Sequence, residues 1–431
     1  MAMDEITNTG HFLEGKTIII AGGGISGSAF VVGLRKLWNQ SLTPPTIIVY
    51  DRDAQDLAAQ REAYTVSVSG LDSSSGLVAL KKLGLLDQAL GYAVSGLDGK
   101  GSFKIWNSEW TERLRFRRKP APGIPTPSIR ITRKDLRQIL HDAADIEGQG
   151  LIEWESQCAS ATRLPNGRIR VRIVQGSDAR EVEKDCDLLV AADGANSKLR
   201  QDLRPDDKLE YTGAVLRGGV ARFEDAVPAP LSDDWGFIMS RSGVSCFFSP
   251  VDKRSVVWAL GHFEDQVPAL DRNSEEQVQA MLDKCLELGS HFKEPFQSIV
   301  KQTDPPTILH LNTRDKLPFS HFKVEEMPVV FIGDSNHAVS PFAGYGANLA
   351  LSDGWDLAEQ LCKSKSLGAA VAEYDNISVP RATRVLTASR SRLKDAHSTG
   401  WRYFKLSMMM SIGRVVGWML GKVRWMKSHL S

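Results

Sequence analysis

At 431 residues, with 53 Lys plus Arg against 52 Asp plus Glu, the chain is long enough for two domains and has no basic excess to hold nucleic acid. Its 42% apolar and 24% charged content fits a globular protein, and no uninterrupted apolar run reaches the roughly 18 residues a spanning helix needs. The five cysteines (Cys158, Cys186, Cys246, Cys285 and Cys362) are scattered, with no CxxC pair, and the polar start MAMDEITNTG is no secretory signal. A reducing, cytoplasmic location without disulfides or a zinc site is the expectation.

Thr17–Ala21 is a β-branched apolar run fit for a buried parallel strand. Gly22-Gly23-Gly24-Ile25-Ser26-Gly27 follows at once, and Ile25, Phe30, Val31, Leu34 and Leu37 then recur at helical spacing. GxGxxG between a strand and a helix is a dinucleotide loop. Gly22 allows the tight turn, Gly24 lets backbone approach a pyrophosphate, and Gly27 lets helix and strand pack closely. Thr46–Tyr50 is the next strand and ends in Asp51, placed to accept from adenosine ribose hydroxyls. Asp51 lies 24 residues past Gly27, and the loop Asn39–Pro45 explains the excess over the usual spacing of roughly 20.

Ser75–Leu83 reads as a helix, Gly99–Thr111 as sheet, and the four prolines of Lys119–Pro127 as a crossover. Thr132 is a candidate N-cap for a helix through Asp142. Arg133 then sits in the first turn, an odd place for a cation unless an anion is near. Trp154–Val174 is expected to fold as a hairpin at Asn166-Gly167, and Glu181–Ala191 as one strand. Asp193-Gly194 follows, a second carboxylate at a strand's carboxyl end, where open α/β sheets bind ligands. Tyr211–Phe263 reads as short antiparallel strands, with turn signals at Gly218-Gly219, Ser242-Gly243 and Asp252-Lys253. Phe237, Met239, Phe247, Phe248 and Trp258 could give that platform an aromatic face. Glu275–Leu288 is a helix pattern and Thr307–Asn312 a strand.

Val329–Leu357 is the stretch around which the chain is organised. An apolar run stops at Gly333-Asp334, a loop with Pro341, Gly344 and Gly346 follows, and a helix pattern starts near Ala347. The open N–H groups of such a helix start suit an electron-rich or anionic group. Such a site could hold a flavin, with a ribityl hydroxyl on Asp334 and the ring's pyrimidine edge at the helix. The tail Ala396–Ser431 carries six cations (Arg402, Lys405, Arg414, Lys422, Arg424 and Lys427) and no carboxylate. Against +1 for the whole chain, everything before it nets −5. Phe404, Met408, Ile412, Val415, Met419, Val423 and Met426 recur at helical spacing, with Trp401, Trp418 and Trp425 nearby. The expectation is that this stripe packs on the protein, with weak membrane-surface contact as the alternative.

Three motifs thus stand in order: GxGxxG at Gly22–Gly27, DGxxSxxR at Asp193–Arg200, and GDxxHxxxPxxGxGxN at Gly333–Asn348. Together they resemble the single-component flavoprotein monooxygenases of the p-hydroxybenzoate hydroxylase type over about Lys16 to Arg381. Arg133–Arg137 and the Ala343 of Pro341–Gly344 bring the tetracycline-inactivating monooxygenases and fungal secondary-metabolite hydroxylases nearest. The resemblance implies an α/β fold. A Rossmann-like FAD-binding domain (15–87, 129–206 and 313–385) would carry an inserted antiparallel-sheet substrate domain (88–128 and 207–312) and a C-terminal helical segment (386–431).

The resemblance also implies roles. Gly22, Gly24, Ile25, Ser26 and Gly27 would take the FAD pyrophosphate. Asp51 would take the ribose and Arg52 would lie beside the adenine. Arg133 would meet the ribityl or phosphate region, Asp193 and Gly194 FAD and the nicotinamide donor, and Asp334 the ribityl chain. Pro341, Gly344, Tyr345, Gly346, Ala347 and Asn348 would line the isoalloxazine ring. Asn336 and Tyr345 depart from the usual Ala and Gln. Phe237 and Trp258 would line the substrate cavity. NAD(P)H would reduce FAD, O₂ would add to it, and a flavin hydroperoxide would pass one oxygen atom to an electron-rich aromatic or polycyclic natural product, by hydroxylation or epoxidation. No residue stands out as general acid or base except His262. The alternatives are a flavin-dependent oxidoreductase that inserts no oxygen, and a flavin-binding membrane-surface protein without turnover.

Overall fold

A computed structural model describes residues 10–55, 64–116, 118–145, 150–412 of the chain. Its centre is a five-stranded parallel sheet in the order Val329–Phe331, Leu188–Ala191, Thr17–Ala21, Thr46–Tyr50, Ile152–Glu153. Ile18 lies level with Leu188 on one side and Ile47 on the other. The inner strands are apolar on both faces because both are covered. Ile18 and Ile20 pack under the helices Ile25–Leu37 and Gly346–Lys363. Ile19 and Ala21 meet a three-stranded antiparallel sheet built from Ser156–Arg163, Ile169–Gln175 and Arg180–Cys186. Gly22, Asp51, Asp193 and Gly333-Asp334 all follow the carboxyl ends of these strands, so register alone gathers them at one edge.

A seven-stranded sheet runs in the order Leu309–Asp315, Glu210–Arg222, Ser255–Phe263, Ser245–Pro250, Trp235–Met239, Phe103–Asn107, Glu112–Arg115. All its pairings are antiparallel except that of Trp235–Met239 with Phe103–Asn107. Its back face packs on Glu275–Leu288 and Phe296–Lys301 around Trp106, Phe248 and Trp258. Its front face, with Ala214, Leu216, Ala259, Phe237 and Phe247, meets Phe342 and Leu393. A two-stranded ladder, Thr65–Ser69 with Ser128–Thr132, joins the two sheets and runs into the helix Arg133–Ala144. Thr132 caps that helix as expected, its hydroxyl accepting from Asp135 N at 3.0 Å.

Three expectations are corrected. Glu181–Ala191 is two strands in two different sheets, parted at Asp187, whose carboxylate accepts from Thr17 N at 2.9 Å. Gly218-Gly219 is no turn but the middle of the long strand Glu210–Arg222. A Cβ on Gly218 would lie 2.0 Å from the Trp258 carbonyl oxygen, so the glycine serves close strand approach. In the tail, residues 400–412 are helical, but Phe404, Met408 and Ile412 face outward instead of packing. Val415, Met419, Val423 and Met426 lie outside the described residues. Among the described residues no helix is long and apolar enough to cross a membrane.

The helices Ile25–Leu37 and Gly346–Lys363 cross at Gly354. A Cβ there would sit 2.6 Å from Phe30 N and 2.7 Å from Ser26 O, backbone atoms that cannot step aside. Gly354→Ala is therefore expected to cost about 1–3 kcal/mol in denaturant unfolding and to reduce flavin content. Unchanged stability and flavin content would show the crossing to be looser than this.

Candidate functional site

The dinucleotide loop divides its labour by position. Gly22, at φ +107°, has the Ala192 carbonyl oxygen 2.4 Å from where a Cβ would be, so only glycine can make the turn. Gly27 is just as tight, against the Gly22 carbonyl at 2.0 Å. Gly24 is the opposite case: a Cβ there would meet nothing within 4 Å, because the position opens onto a cavity. Gly22 and Gly24 line that cavity with Tyr50, Asp51, Arg52, Arg133, Asp193 and Gly194. Residues far apart in the chain are thus brought together as expected. The N–H groups of Gly24, Ile25 and Ser26, at the start of a 13-residue helix, lack intrahelical acceptors by position.

The Asp51 carboxylate accepts from Gly23 N at 2.8 Å and from Asp53 N at 2.9 Å, so it fixes the loop as well as facing the cavity. Two residues missed in the sequence support it. Arg137, one turn beyond Arg133, brings its guanidinium 3.7 Å from Asp51 and 3.8 Å from Asp53. A ring nitrogen of His141 lies 2.6 Å from the Gly23 carbonyl oxygen. Their signal was the spacing of 133, 137 and 141, one face of one helix.

On the neighbouring strand, one oxygen of Asp193 accepts from Lys198 N at 2.9 Å, while the other is buried without a partner among the described residues. Burial pushes this carboxyl up, against the pull of hydrogen bonds from Ser197 and the helix start. Arg200, the last residue of the motif, is buried and donates to the Ser335 carbonyl at 2.8 Å, tying this turn to the third motif.

In the third motif, Asp334 is half-buried and its carboxylate accepts no hydrogen bond among the described residues. Burial raises its pKa, opposed by the charges of His337, Arg133 and Arg200. Behind it lies a network invisible to motif reading. The buried Asp353 carboxylate accepts from Gly333 N at 2.8 Å, meets His337 Nε2 at 2.5 Å, and accepts from Arg381 at 2.9 Å. Arg381 also donates to Asp356 at 2.6 Å. Asn336, the departure from alanine, exchanges two bonds of 3.0 Å with the Phe319 backbone.

The loop Pro341–Gly346 carries Phe342 inward against the front face of the large sheet, while Pro341 and Gly344 are exposed and Tyr345, Gly346 and Ala347 half-buried. A Cβ at Gly344 or Gly346 would meet nothing within 4 Å. The Tyr345 hydroxyl reaches Ser69 Oγ at 3.2 Å. Asn348 turns away: its amide accepts from Ser69 N and Gly76 N and donates to the Ser67 carbonyl, fastening the helix to the ladder. Phe237 lies on the front face, 5.0 Å from Phe247, toward this loop.

Trp258 does not. Strand alternation puts it on the back face, fully buried, with its indole N–H on Thr303 Oγ1 at 2.8 Å. His262 has the same parity. Its ring pairs with Glu264 at 3.2 Å on the back face, beside Arg217, so it is no acid or base for chemistry at the front. All five cysteines are free, and no metal-binding group occurs among the described residues.

The chain's own atoms fit an FAD. The glycines leave room for a pyrophosphate and a ring, a helix start faces the cavity, and one buried Asp193 oxygen stands without a donor among the described residues. The comparisons agree. A family profile described as FAD binding domain matches residues 79–389. The chain is 43% identical over 392 residues to monooxygenase cfoF of Aspergillus candidus, covering 90% of this chain and 93% of that one. Among solved structures it resembles Klebsiella pneumoniae R204Q HpxO complexed with FAD, with a TM-score of 0.72, 19% identity, and 94% and 97% of the two chains covered. It also resembles tetracycline destructase Tet(51), with a TM-score of 0.64, 17% identity, and 93% and 97% covered.

Two expectations follow. Asp334→Asn replaces a half-buried carboxylate that accepts no hydrogen bond among the described residues, so the flavin-free variant is expected to melt close to the parent. It should also bind FAD about 10–100-fold more weakly, for loss of a charge-assisted bond of roughly 1.5–3 kcal/mol. Unchanged affinity would remove Asp334 from the site.

The second concerns pH. Burial alone would raise Asp353, but His337, its hydrogen bond and Arg381 hold it down to about 2, below the ordinary 3.8. A lowered acid pKa gives stability that is present above the ordinary value and lost as pH falls toward 2. His337, which burial would lower, is raised above 6.5 by Asp353. Its contribution is complete below 6.5 and fades as pH rises through the raised value. Unfolding of the flavin-free protein should therefore be hardest between about pH 4 and 6.5, and Asp353→Asn should cost about 3–5 kcal/mol there while flattening both limbs. Parent-like stability in that window would refute the network.

Proposed function

Because this chain belongs to the FAD-binding-domain family of flavoprotein monooxygenases, we propose that it uses NAD(P)H and O₂ to insert one oxygen atom into an electron-rich aromatic or polycyclic small molecule. The observation that carries this reading is the glycine-lined cavity at one sheet edge, where a buried Asp193 oxygen stands without a donor among the described residues. When bound, the flavin supplies hydride acceptance from the nicotinamide and activation of O₂. The chain supplies the rest. Gly24, Ile25 and Ser26 would present N–H groups to the pyrophosphate. Asp51 would take ribose hydroxyls, with Arg52 beside the adenine. Arg133 would neutralise phosphate or stabilise the ribityl end, and Asp334 would accept from a ribityl hydroxyl.

The start of the 18-residue helix Gly346–Lys363 would place its positive end at the ring, favouring the anionic reduced form. Phe237 and Phe247, with Phe342 across from them, would keep water from the reacting atoms and stack against a flat, apolar substrate. An electron-rich ring needs no dedicated nucleophile from the protein.

The test is NAD(P)H and oxygen consumption by purified yellow protein across a panel of aromatic and polycyclic natural products, with the product mass followed. A gain of one oxygen atom is expected. Phe237→Ala should alter which panel members stimulate NAD(P)H oxidation while leaving flavin reduction without substrate within about twofold. Turnover without oxygen gain for every compound would favour an oxidoreductase that inserts none.

A further inference from the structure

We propose that the helix over residues 400–412 docks the enzyme on an anionic membrane surface. Its seat on the protein is defined at its N-terminal end. A β-bridge joins Ser242 and Thr399, and His397 is buried with one ring nitrogen 2.8 Å from the Leu393 carbonyl oxygen and the other 3.3 Å from Ser245 Oγ. Along the helix Met410 is buried and Tyr403 and Leu406 are half-buried, so one stripe faces the protein.

The other stripe is also apolar and faces out. Trp401 is 68% exposed, Phe404 54%, Met408 48% and Ile412 55%, at spacings of three, four and four residues. The Trp401 and Phe404 rings stack at 5.1 Å into one flat surface. A helix held on one side should not spend its outer side on large apolar groups unless something covers them.

The charge around the stripe says what covers it. Arg402, paired with Asp395 at 2.8 Å, and Lys405, 6.0 Å from the Trp401 ring, flank the apolar surface. From Ala396 onward the chain holds six cations and no carboxylate, while everything before it nets −5. This asymmetry turns the helix end toward a negative surface and the rest of the protein away from it. Apolar side chains flanked by cations, with an indole among them, match the boundary between acyl chains and anionic headgroups. Nucleic acid would use the cations but leave the stripe in water.

The experiment is flotation of the purified full-length holoenzyme with vesicles of phosphatidylcholine alone or mixed with phosphatidylserine, at low and high salt. The parent should float with the mixed vesicles at low salt, and much less with the neutral ones or at high salt. F404S/M408S/I412S should reduce flotation at least about tenfold, the equivalent of losing one buried side chain, while flavin absorbance, melting temperature and NAD(P)H turnover stay at the parent's values. R402E/K405E should weaken the preference for phosphatidylserine, with four of the six cations remaining. Light scattering completes the test. No flotation from a dimer that the triple variant converts to monomer would assign the stripe to a second copy. No flotation from a monomer would assign it to residues 413–431. Flotation that the substitutions leave unchanged would place the contact elsewhere. Each of these overturns the proposal.

Discussion

The carboxylate of Asp353 is the point on which the flavin side of the molecule depends. An ionised group in a protein interior costs several kcal/mol unless its charge and lone pairs are met. Here they are met by Gly333 N–H, His337 and Arg381, which come from a turn, a short helical turn and a third helix. The bond to Gly333 N–H meets the backbone where it turns at φ +62°, just before Asp334. The bond to Arg381 ties the helix Gly346–Lys363 to the long helix Leu367–Ala396, whose end meets the front of the large sheet through Leu393. One buried charge therefore sets the turn, the helix start and the distance to the aromatic face together.

Arg200 extends this coupling to the second motif through the Ser335 carbonyl, and Asn348 to the ladder through Ser67 and Ser69 and to the start of the helix Gly76–Leu83 through Gly76. Asp51, Gly23 and Arg137 do the same for the first.

What the sequence made legible was local. Glycine turns after apolar strands, the Thr132 cap and the misplaced cation at Arg133 all follow from chemistry within a few residues, and those elements lie where expected. What it hid was non-local. Asp353 and Arg381 are 28 residues apart and belong to different helices, so no spacing rule pairs them. Asn348, read as a ring-lining residue by its place in a motif, spends its amide on the ladder because the ladder's partners are remote in sequence. The break at Asp187 could not be seen because both halves are extended and only the pairing differs. Trp258 was misplaced for a related reason. Alternation shows that two faces exist, but which face meets the flavin is decided by what packs against the sheet.

That alternation separates two kinds of change the protein can undergo. Along Ser255–Phe263 and Ser245–Pro250 the even-numbered side chains, Val256, Trp258, Leu260, Cys246 and Phe248, all enter the back core. On the same strands odd-numbered Ala259 and Phe247 face Phe342. Substitutions at one parity alter the shape offered to a ligand, and those at the other alter the strength of the scaffold. A lineage of such enzymes can therefore diversify what it accepts by drifting at alternate positions of a few strands, without first acquiring compensating stability elsewhere.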